Sequence, residues 1–459
     1  MMVGSYTSTC PQVWWRYLFQ LAAKHQFISL TAVSAILFAL LPLSPKAQII
    51  ELDSTLSEYV QEGLKANPNL VALSSMVEAA EKRISQVGSW PDPTLGFSIA
   101  NLPADNFAFD QEPMTAAWIQ LGQRIPLGGK TSILSKIAES HTDALRYEEK
   151  AQQLSLAAEI INTWYDWAFQ LESIKVVEAE IGLMDDFIAV ARRKYETGQG
   201  LQQDVLRAST ERTRLEDRLA GVQQTALTSS RRLAVLLGRE ADDLPEPPAG
   251  LIETFPRISQ KEILGQMLEQ NPDLKRMSAE LTAANRRVSF AHRNWWPDLN
   301  LGIGYGFRQD SPEGMERPDF FSASVGITVP IYGSRKQGPA VQEARANSRQ
   351  VAYQQRALEL ELRFQYERLL DEDGRLDEQI NLYLQGIEPQ AQATLAAATA
   401  EYAVGKVDFE ALLMAERALY EARLERFSRV RDRLKVRAAL AALVGDSYLT
   451  TSSESEEKK

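Results

Sequence analysis

The chain repeats itself. Asn67-Pro68-Asn69-Leu70 returns as Asn271-Pro272-Asp273-Leu274, 204 residues later. Trp90-Pro91-Asp92 returns as Trp296-Pro297-Asp298 after 206, and Ile125-Pro126-Leu127 with Gly129-Lys130 returns as Val329-Pro330-Ile331 with Arg335-Lys336. Tyr195-x-x-Gly198 and Leu237-Gly238 return as Tyr402-x-x-Gly405 and Val444-Gly445, both after 207. Five landmarks in one order at a nearly constant offset mark a tandem duplication, so the fold must build one unit twice. The spacing places the first unit at 48–245 and the second at 258–446. Between them lies a linker, 246–257, opened by Leu244-Pro245-Glu246-Pro247-Pro248. The polar residues 447–459 are expected to be a disordered tail.

Each unit reads as helix, strand, strand, helix, helix. A helix over 55–88 leads to the Trp-Pro-Asp turn. No proline falls between Pro126 and Pro245, so 131–197 can run as one helix of 67 residues, about 100 Å at 1.5 Å per residue. A glycine turn then precedes a helix over 202–238. The second unit offers 258–294, 340–404 with a kink expected at Pro389, and 409–445. Helices 55–88 and 202–238 total 71 residues, close to the 67 of the long helix they would flank. Those lengths describe a rod. Helix 202–238 keeps a heptad rhythm through Val205, Ala208, Leu215, Leu219, Val222, Ala226, Leu233 and Leu236, which equally suits a plain antiparallel coiled coil.

Four segments alternate with period two. Thr94–Leu102 and Leu299–Phe307 interleave apolar side chains with small or polar ones, glycine dominating one face of the latter. Phe321, Ala323, Val325, Ile327 and Val329 mark one face of another, as do Ala117, Ile119, Leu121 and Ile125. Segments of about ten residues match tilted membrane strands, although a soluble sandwich alternates in the same way. Four strands cannot close a membrane barrel, and an open edge in lipid leaves backbone groups unpaired. Several chains must then contribute four strands each. Two would give a barrel filled by side chains; three would give twelve strands and a lumen, which the glycine-lined face favours.

The N-terminus supports export. Lys24 precedes the uncharged Phe27–Leu43 run, then comes Ser44-Pro45-Lys46-Ala47-Gln48, so 1–47 reads as a signal peptide cleaved near Ala47. A single membrane anchor is the alternative. The only cysteine, Cys10, lies upstream of the apolar run. The mature chain would carry no disulfide and no lipidated cysteine. Removing Arg16, Lys24 and Lys46 leaves 47 basic against 61 acidic residues, net −14, which argues against a nucleic-acid partner.

Motifs that resemble chemistry do not hold up. Gly128-Gly129-Lys130-Thr131 imitates the end of a phosphate loop, but Arg124 stands where its first glycine belongs. Gly302, Gly304 and Gly306 are spaced by two throughout and no helix follows. His141 and His292 lie on different helices. Asp242-Asp243 and Asp371-Glu372-Asp373 read as solvated charge. No metal, cofactor or catalytic residue is assigned, and the chain is not expected to be an enzyme.

The ordered set resembles the TolC-type outer-membrane efflux proteins over nearly the whole mature chain. Carrying the likeness are Asn67-Pro68, Pro91-Asp92-Pro93, Pro126 with Gly129-Lys130, Tyr195-x-x-Gly198 with Asp204-Val205, Leu236-Leu237-Gly238 and the second-unit copies. Pro91–Met114 is reminiscent of the heavy-metal Cus and Czc branch. The resemblance implies an α+β, mostly α protomer with long periplasmic helical hairpins and four strands given to a trimeric outer-membrane β-barrel. It further implies a homotrimer in the outer-membrane lipid, working with a periplasmic adaptor and an inner-membrane pump. The duct would passively export small solutes such as drugs or metal ions. A duct for type I protein secretion and a periplasmic coiled-coil scaffold are the alternatives. Gly198, Leu201, Asp204, Val205, Gly405 and Leu413 match the adaptor-docking tip. Family members carry constriction aspartates beyond the second tip glycine. Here those positions align with Ala411 and Met414, and Asp408 and Glu410 are the displaced candidates.

Overall fold

The structure is a computed structural model and describes residues 49–50, 52–253, 255–256 and 260–445. The expected signal peptide (1–47) and tail (447–459) lie outside the described residues. In chain order the elements are α1 (Ser54–Ala66), α2 (Pro68–Gly88), β1 (Thr94–Ala100), β2 (Ala116–Pro126), α3 (Lys130–Glu196) and α4 (Gln202–Leu236). Then follow α5 (Gln260–Gln270), α6 (Pro272–Arg293), β3 (Asp298–Phe307), β4 (Phe320–Ile327), α7 (Gln337–Leu382), a π-turn (Tyr383–Ile387), α8 (Glu388–Ala403) and α9 (Phe409–Val444). The mostly helical α+β architecture is the one expected.

Helix α3 is a single run of 67 residues. It packs along α1, α2 and α4 of its own half and against α6 and α9 of the other. The single helices expected over 55–88 and 258–294 are each broken in two. Asn67 and Asn271 precede prolines, whose rings exclude the helical region for the residue before them, and both asparagines sit at ψ near 121°. Each break then does a second job. Asn67 Oδ1 accepts from Asn69 N (3.0 Å) while its Nδ2 donates to Leu236 O (3.1 Å) at the end of α4. Asn271 repeats this, accepting from Leu274 N (3.1 Å) and donating to Leu443 O (2.8 Å). The glycines that end α4 and α9 are pressed onto the same breaks. A Cβ on Gly238 (φ 81°) would lie 2.7 Å from Ala66 O, and one on Gly445 (φ 92°) 2.8 Å from Asn271 Cα. The Asn-Pro and Leu/Val-Gly landmarks are therefore the two sides of one joint, built twice.

The kink expected at Pro389 takes the form of the π-turn just before it. Proline there has no N–H for the i−4 carbonyl and its ring crowds that carbonyl, and the widened turn accommodates both. Strand β1 stops at Ala100 instead of Leu102 because Asn101 adopts φ 56°, with Thr115 Oγ1 donating to its carbonyl (2.6 Å).

Two apolar clusters fill the helical part. One gathers Leu56, Ile160, Trp164, Tyr165, Leu237, Ile263, Tyr366 and Leu440 from both halves. The other gathers Val177, Met184, Phe187, Leu215, Tyr402, Phe409, Leu412 and Tyr420 nearer the hairpin tips.

One reading of the acids is corrected. Asp371 is exposed, but Asp373 is buried on the Leu369–Leu376–Ile380 stripe of α7. It accepts from Arg433 Nε (3.0 Å) and Arg437 Nε (2.8 Å), whose side chains are 8% and 3% exposed. Burial pushes its pKa up, but the bonds and charges of Arg437 and Arg433 outweigh that and hold the carboxyl below its ordinary range. Arg437 Nη1 also donates to Pro256 O (2.6 Å) and Ile49 O (3.3 Å), and Phe255 lies under both guanidinium groups. The cluster thereby pins the inter-repeat linker and the first described residues to α7 and α9.

Candidate functional site: a barrel wall and two hairpin tips

The four strands form one antiparallel sheet in the order β1-β2-β3-β4, leaving β1 and β4 as edges. Directly paired residues share a face, so the register sorts the side chains. Thr94, Gly96 and Ser98 lie beside Gly122, Gln120 and Trp118, then Gly302, Gly304 and Gly306, then Ser324, Ser322 and Phe320. Apart from Trp118 and Phe320, this face is small and polar. The opposite face carries Leu95, Phe97, Ile99, Ile119, Leu121, Leu301, Ile303, Tyr305, Phe307, Phe321, Val325 and Ile327. All twelve are exposed, from 38% at Leu301 to 76% at Leu95. Among the described residues no helix covers them.

The glycines of β3 serve a purpose that alternation did not reveal. The Trp118 indole lies across Gly304 and Gly306 and stacks on Phe320 (centroids 6.1 Å apart, planes at 10°). A Cβ on Gly306 would stand 2.9 Å from that ring. These glycines seat Trp118 as well as keeping the face small. At the far end of the sheet, Arg317 Nη1 donates to Asp110 O (2.8 Å) and ties the two hairpin loops together.

The junction of sheet and helices explains the Trp-Pro-Asp and Gly-Lys landmarks. Asp298, 7% exposed in its side chain, accepts from Lys130 Nζ (2.7 Å) and Arg124 Nε (3.2 Å). Lys130 Nζ also donates to Trp296 O (2.8 Å), and Arg293 Nη1 to Gly128 O (2.7 Å). Gly128 and Gly129 take φ 72° and 69°, and a Cβ on Gly128 would stand 2.7 Å from the Trp296 ring. What resembled a phosphate loop is the seam between the two halves.

At the other end α3 and α8 both finish in a left-handed glycine, Gly198 (φ 71°) and Gly405 (φ 75°). Gln199 N donates to Lys194 O (2.8 Å) and Gly198 N to Tyr195 O (3.0 Å); Lys406 N donates to Glu401 O and Gly405 N to Tyr402 O in the same pattern. This six-to-one and five-to-two pairing satisfies the last carbonyls of each helix and needs φ > 0 at the glycine. Leu201 caps the start of α4 and Asp204 lies in its first turn. Asp408 caps α9, its carboxylate accepting from Ala411 N (2.9 Å).

Side chains tie the two tips together. Lys194 Nζ donates to Tyr402 O and lies 4.3 Å from the centre of the Tyr402 ring. Tyr402 Oη approaches Asp204 Oδ2 at 3.5 Å; burial first, then that carboxylate, pushes the phenol up to about 12. Arg207 Nη1 donates to Glu410 (2.6 Å) and Arg417 Nη2 to Glu211 (3.0 Å). Between α4 and α9 runs a groove of about 630 Å³ lined by Leu206, Arg207, Glu410, Leu413, Met414 and Arg417 among others. The structure thus brings Glu410 and Leu413 to one groove, while Asp204 faces Tyr402 instead. Gly198 and Gly405 stand at the two turns with open space around them. Val205 is half-buried beneath the turn. Lys194, Arg207 and Tyr402 as cross-ties were not legible in the sequence, because each partner lies about 200 positions away.

The profile of the outer membrane efflux protein family matches residues 59–239 and 263–446. Among similar sequences is a pyoverdine export outer membrane protein of Pseudomonas putida, 21% identical over 67% of this chain and 65% of its own. The chain thus spans just under two thirds of that relative's length. Another is the cobalt-zinc-cadmium resistance protein CzcC of Cupriavidus metallidurans, 22% identical over 81% of this chain and 85% of its own. Among solved structures, the outer-membrane channel OprN superposes with a TM-score of 0.75 at 18% identity, covering 86% of this chain and 91% of that one. CusC gives 0.73 at 17% identity, covering 86% and 93%. With both repeats matched by one profile and the four-stranded sheet and paired hairpins in place, the chain belongs to the outer membrane efflux protein family.

Proposed function

We propose that three copies of this chain close a twelve-stranded barrel in the outer membrane and continue below it as a helical periplasmic tube. The observation that carries this reading is the sheet. Twelve exposed apolar side chains on one face, small and polar ones on the other, and two unpaired edges fit a wall between lipid and lumen. A coiled-coil scaffold gives no reason for that face. The tips at Gly198 and Gly405, with Leu201, Asp204, Val205 and Leu413, receive a periplasmic adaptor linked to an inner-membrane pump. Asp408 and Glu410 stand at the constriction, and the Asp204–Tyr402, Lys194–Tyr402 and Arg207–Glu410 ties hold the closed tip.

The duct is passive, and its pump chooses the cargo. The relatives' names support this, since they concern pyoverdine in one case and cobalt, zinc and cadmium in another. Among the described residues no group of three or more His, Cys, Asp or Glu side chains could hold a metal ion. The test is membrane extraction followed by planar-bilayer recording of the purified protein. The reading requires resistance to high-salt wash and a small steady conductance. Release by salt would overturn it.

A further inference from the structure

The duplication leaves one junction half-built. Strands β2 and β3 meet inside the chain, and at that seam Asp298 of the second repeat receives Lys130 of the first. The repeat copies of these residues are Asp92, 206 positions before Asp298, and the Arg335-Lys336 step that answers Gly129-Lys130. Asp92 precedes β1 and Arg335-Lys336 follow β4, so they flank the two free edges of the sheet. All three side chains are exposed, and none has an ion-pair or hydrogen-bond partner among the described residues.

We propose that β4 of one copy pairs with β1 of the next in the register that β2 and β3 show within the chain, and that Asp92 of the partner subunit lies against Arg335 and Lys336. This rests on the barrel reading above and adds the contact that sets its closure. The register follows by substitution. Within the chain Gln120 faces Gly304 and Pro126 faces Asp298. Their repeat copies are Ser324 with Ser98, and Pro330 with Asp92. Between copies, Ser324 therefore faces Ser98 of the partner subunit, and Pro330 faces Asp92 of the partner subunit. The faces agree, since Ser98 and Ser324 both lie on the small, polar side of the sheet. The charge count agrees too. Asp298 takes two cations, Arg124 and Lys130. The copy of Arg124 is the neutral Thr328, but Arg335 stands beside Lys336 and restores the second cation. Pairing every edge in this way is also what a sheet in lipid demands.

The experiment uses the full chain in membranes with Cys10→Ser, which leaves no native thiol. Ser98→Cys with Ser324→Cys is oxidised or bridged with a short bis-maleimide, next to an out-of-register control, Ser98→Cys with Ser322→Cys. The expected result is a covalent ladder ending at three chains for the first pair and loss of that ladder in the control. Asp92→Lys alone should remove the detergent-resistant trimer band, and Asp92→Lys with Arg335→Glu and Lys336→Glu should restore it. A ladder from the control pair only, or no restoration by the charge swap, overturns the proposed contact while leaving the barrel standing. Chains that remain monomeric without any edge-to-edge bridge would overturn the barrel reading itself.

Discussion

Replacing Asp373 with Asn tests whether the two repeats and their linker are held by one buried charge cluster. The change keeps the side chain's shape and removes its charge, leaving Arg433 and Arg437 facing each other at 8% and 3% exposure. Removing one partner from a buried ion pair costs roughly 3–5 kcal/mol, because the remaining charge stays desolvated. Here Arg433 keeps Asp377, whose side chain is half exposed, and Arg437 keeps the carbonyls of Pro256 and Ile49. Those retained bonds place the expected loss at the lower end, about 3 kcal/mol. Two readouts follow it: denaturant midpoints by helical circular dichroism at fixed protein concentration, and limited proteolysis of the linker that Arg437 pins. Asp373→Met with Arg437→Met should lose markedly less than Asp373→Asn alone, since apolar residues replace a buried pair at small cost. The pH sign is fixed as well. The folded carboxyl is held below its ordinary value, so its contribution is present above that value and disappears as pH falls through the folded one. A loss below about 0.5 kcal/mol, the range of neutral surface changes, would refute the reasoning.

Other outcomes follow from the tip-side helices. Glu416 on α9 is buried against Glu180 on α3, and burial first, then that neighbour, pushes its pKa up to about 9. The folded state therefore keeps a proton that the unfolded chain releases, so stability should decline from the ordinary carboxylate range up to pH 9. Glu416→Gln should flatten this slope in denaturation curves taken between pH 5 and about 9; an unchanged slope would count against the pair. At the turns a Cβ meets nothing, so substitution of Gly198 or Gly405 costs only the left-handed backbone, about 1–2 kcal/mol. Gly198→Val and Gly405→Val should leave trimers intact in gels and abolish efflux-dependent resistance, whereas Gly198→Asn should be tolerated. Tyr402→Phe with Arg207→Ala removes two ties between the tips and should raise single-channel conductance; equal conductance would show that they do not hold the tip closed.

Much of the fold could be read from the residues. Periodicity and the absence of proline gave α3 its 67 residues, and alternation gave the four strands. Turn chemistry was less legible. Asn67 and Asn271 looked like landmarks inside helices, yet proline makes them breaks and their amides cap a helix end 169 or 172 positions away. Asp373 looked like one acid in a run of three, and only the register of α7 separates it from the exposed Asp371. The tip glycines were visible because positive φ demands them. The ties across the tips were not, because no local pattern marks Lys194 for Tyr402 or Arg207 for Glu410. Trp118 was likewise silent, since its seat is made by glycines on another strand.

The account stands most directly on the number of chains in the assembled particle. Four strands with two open edges cannot form a wall alone, and twelve close one. Native mass spectrometry of the protein extracted from outer membranes in mild detergent counts the chains without reference to activity. The account predicts a single species of three copies. A monomer or a dimer as the dominant species would contradict it.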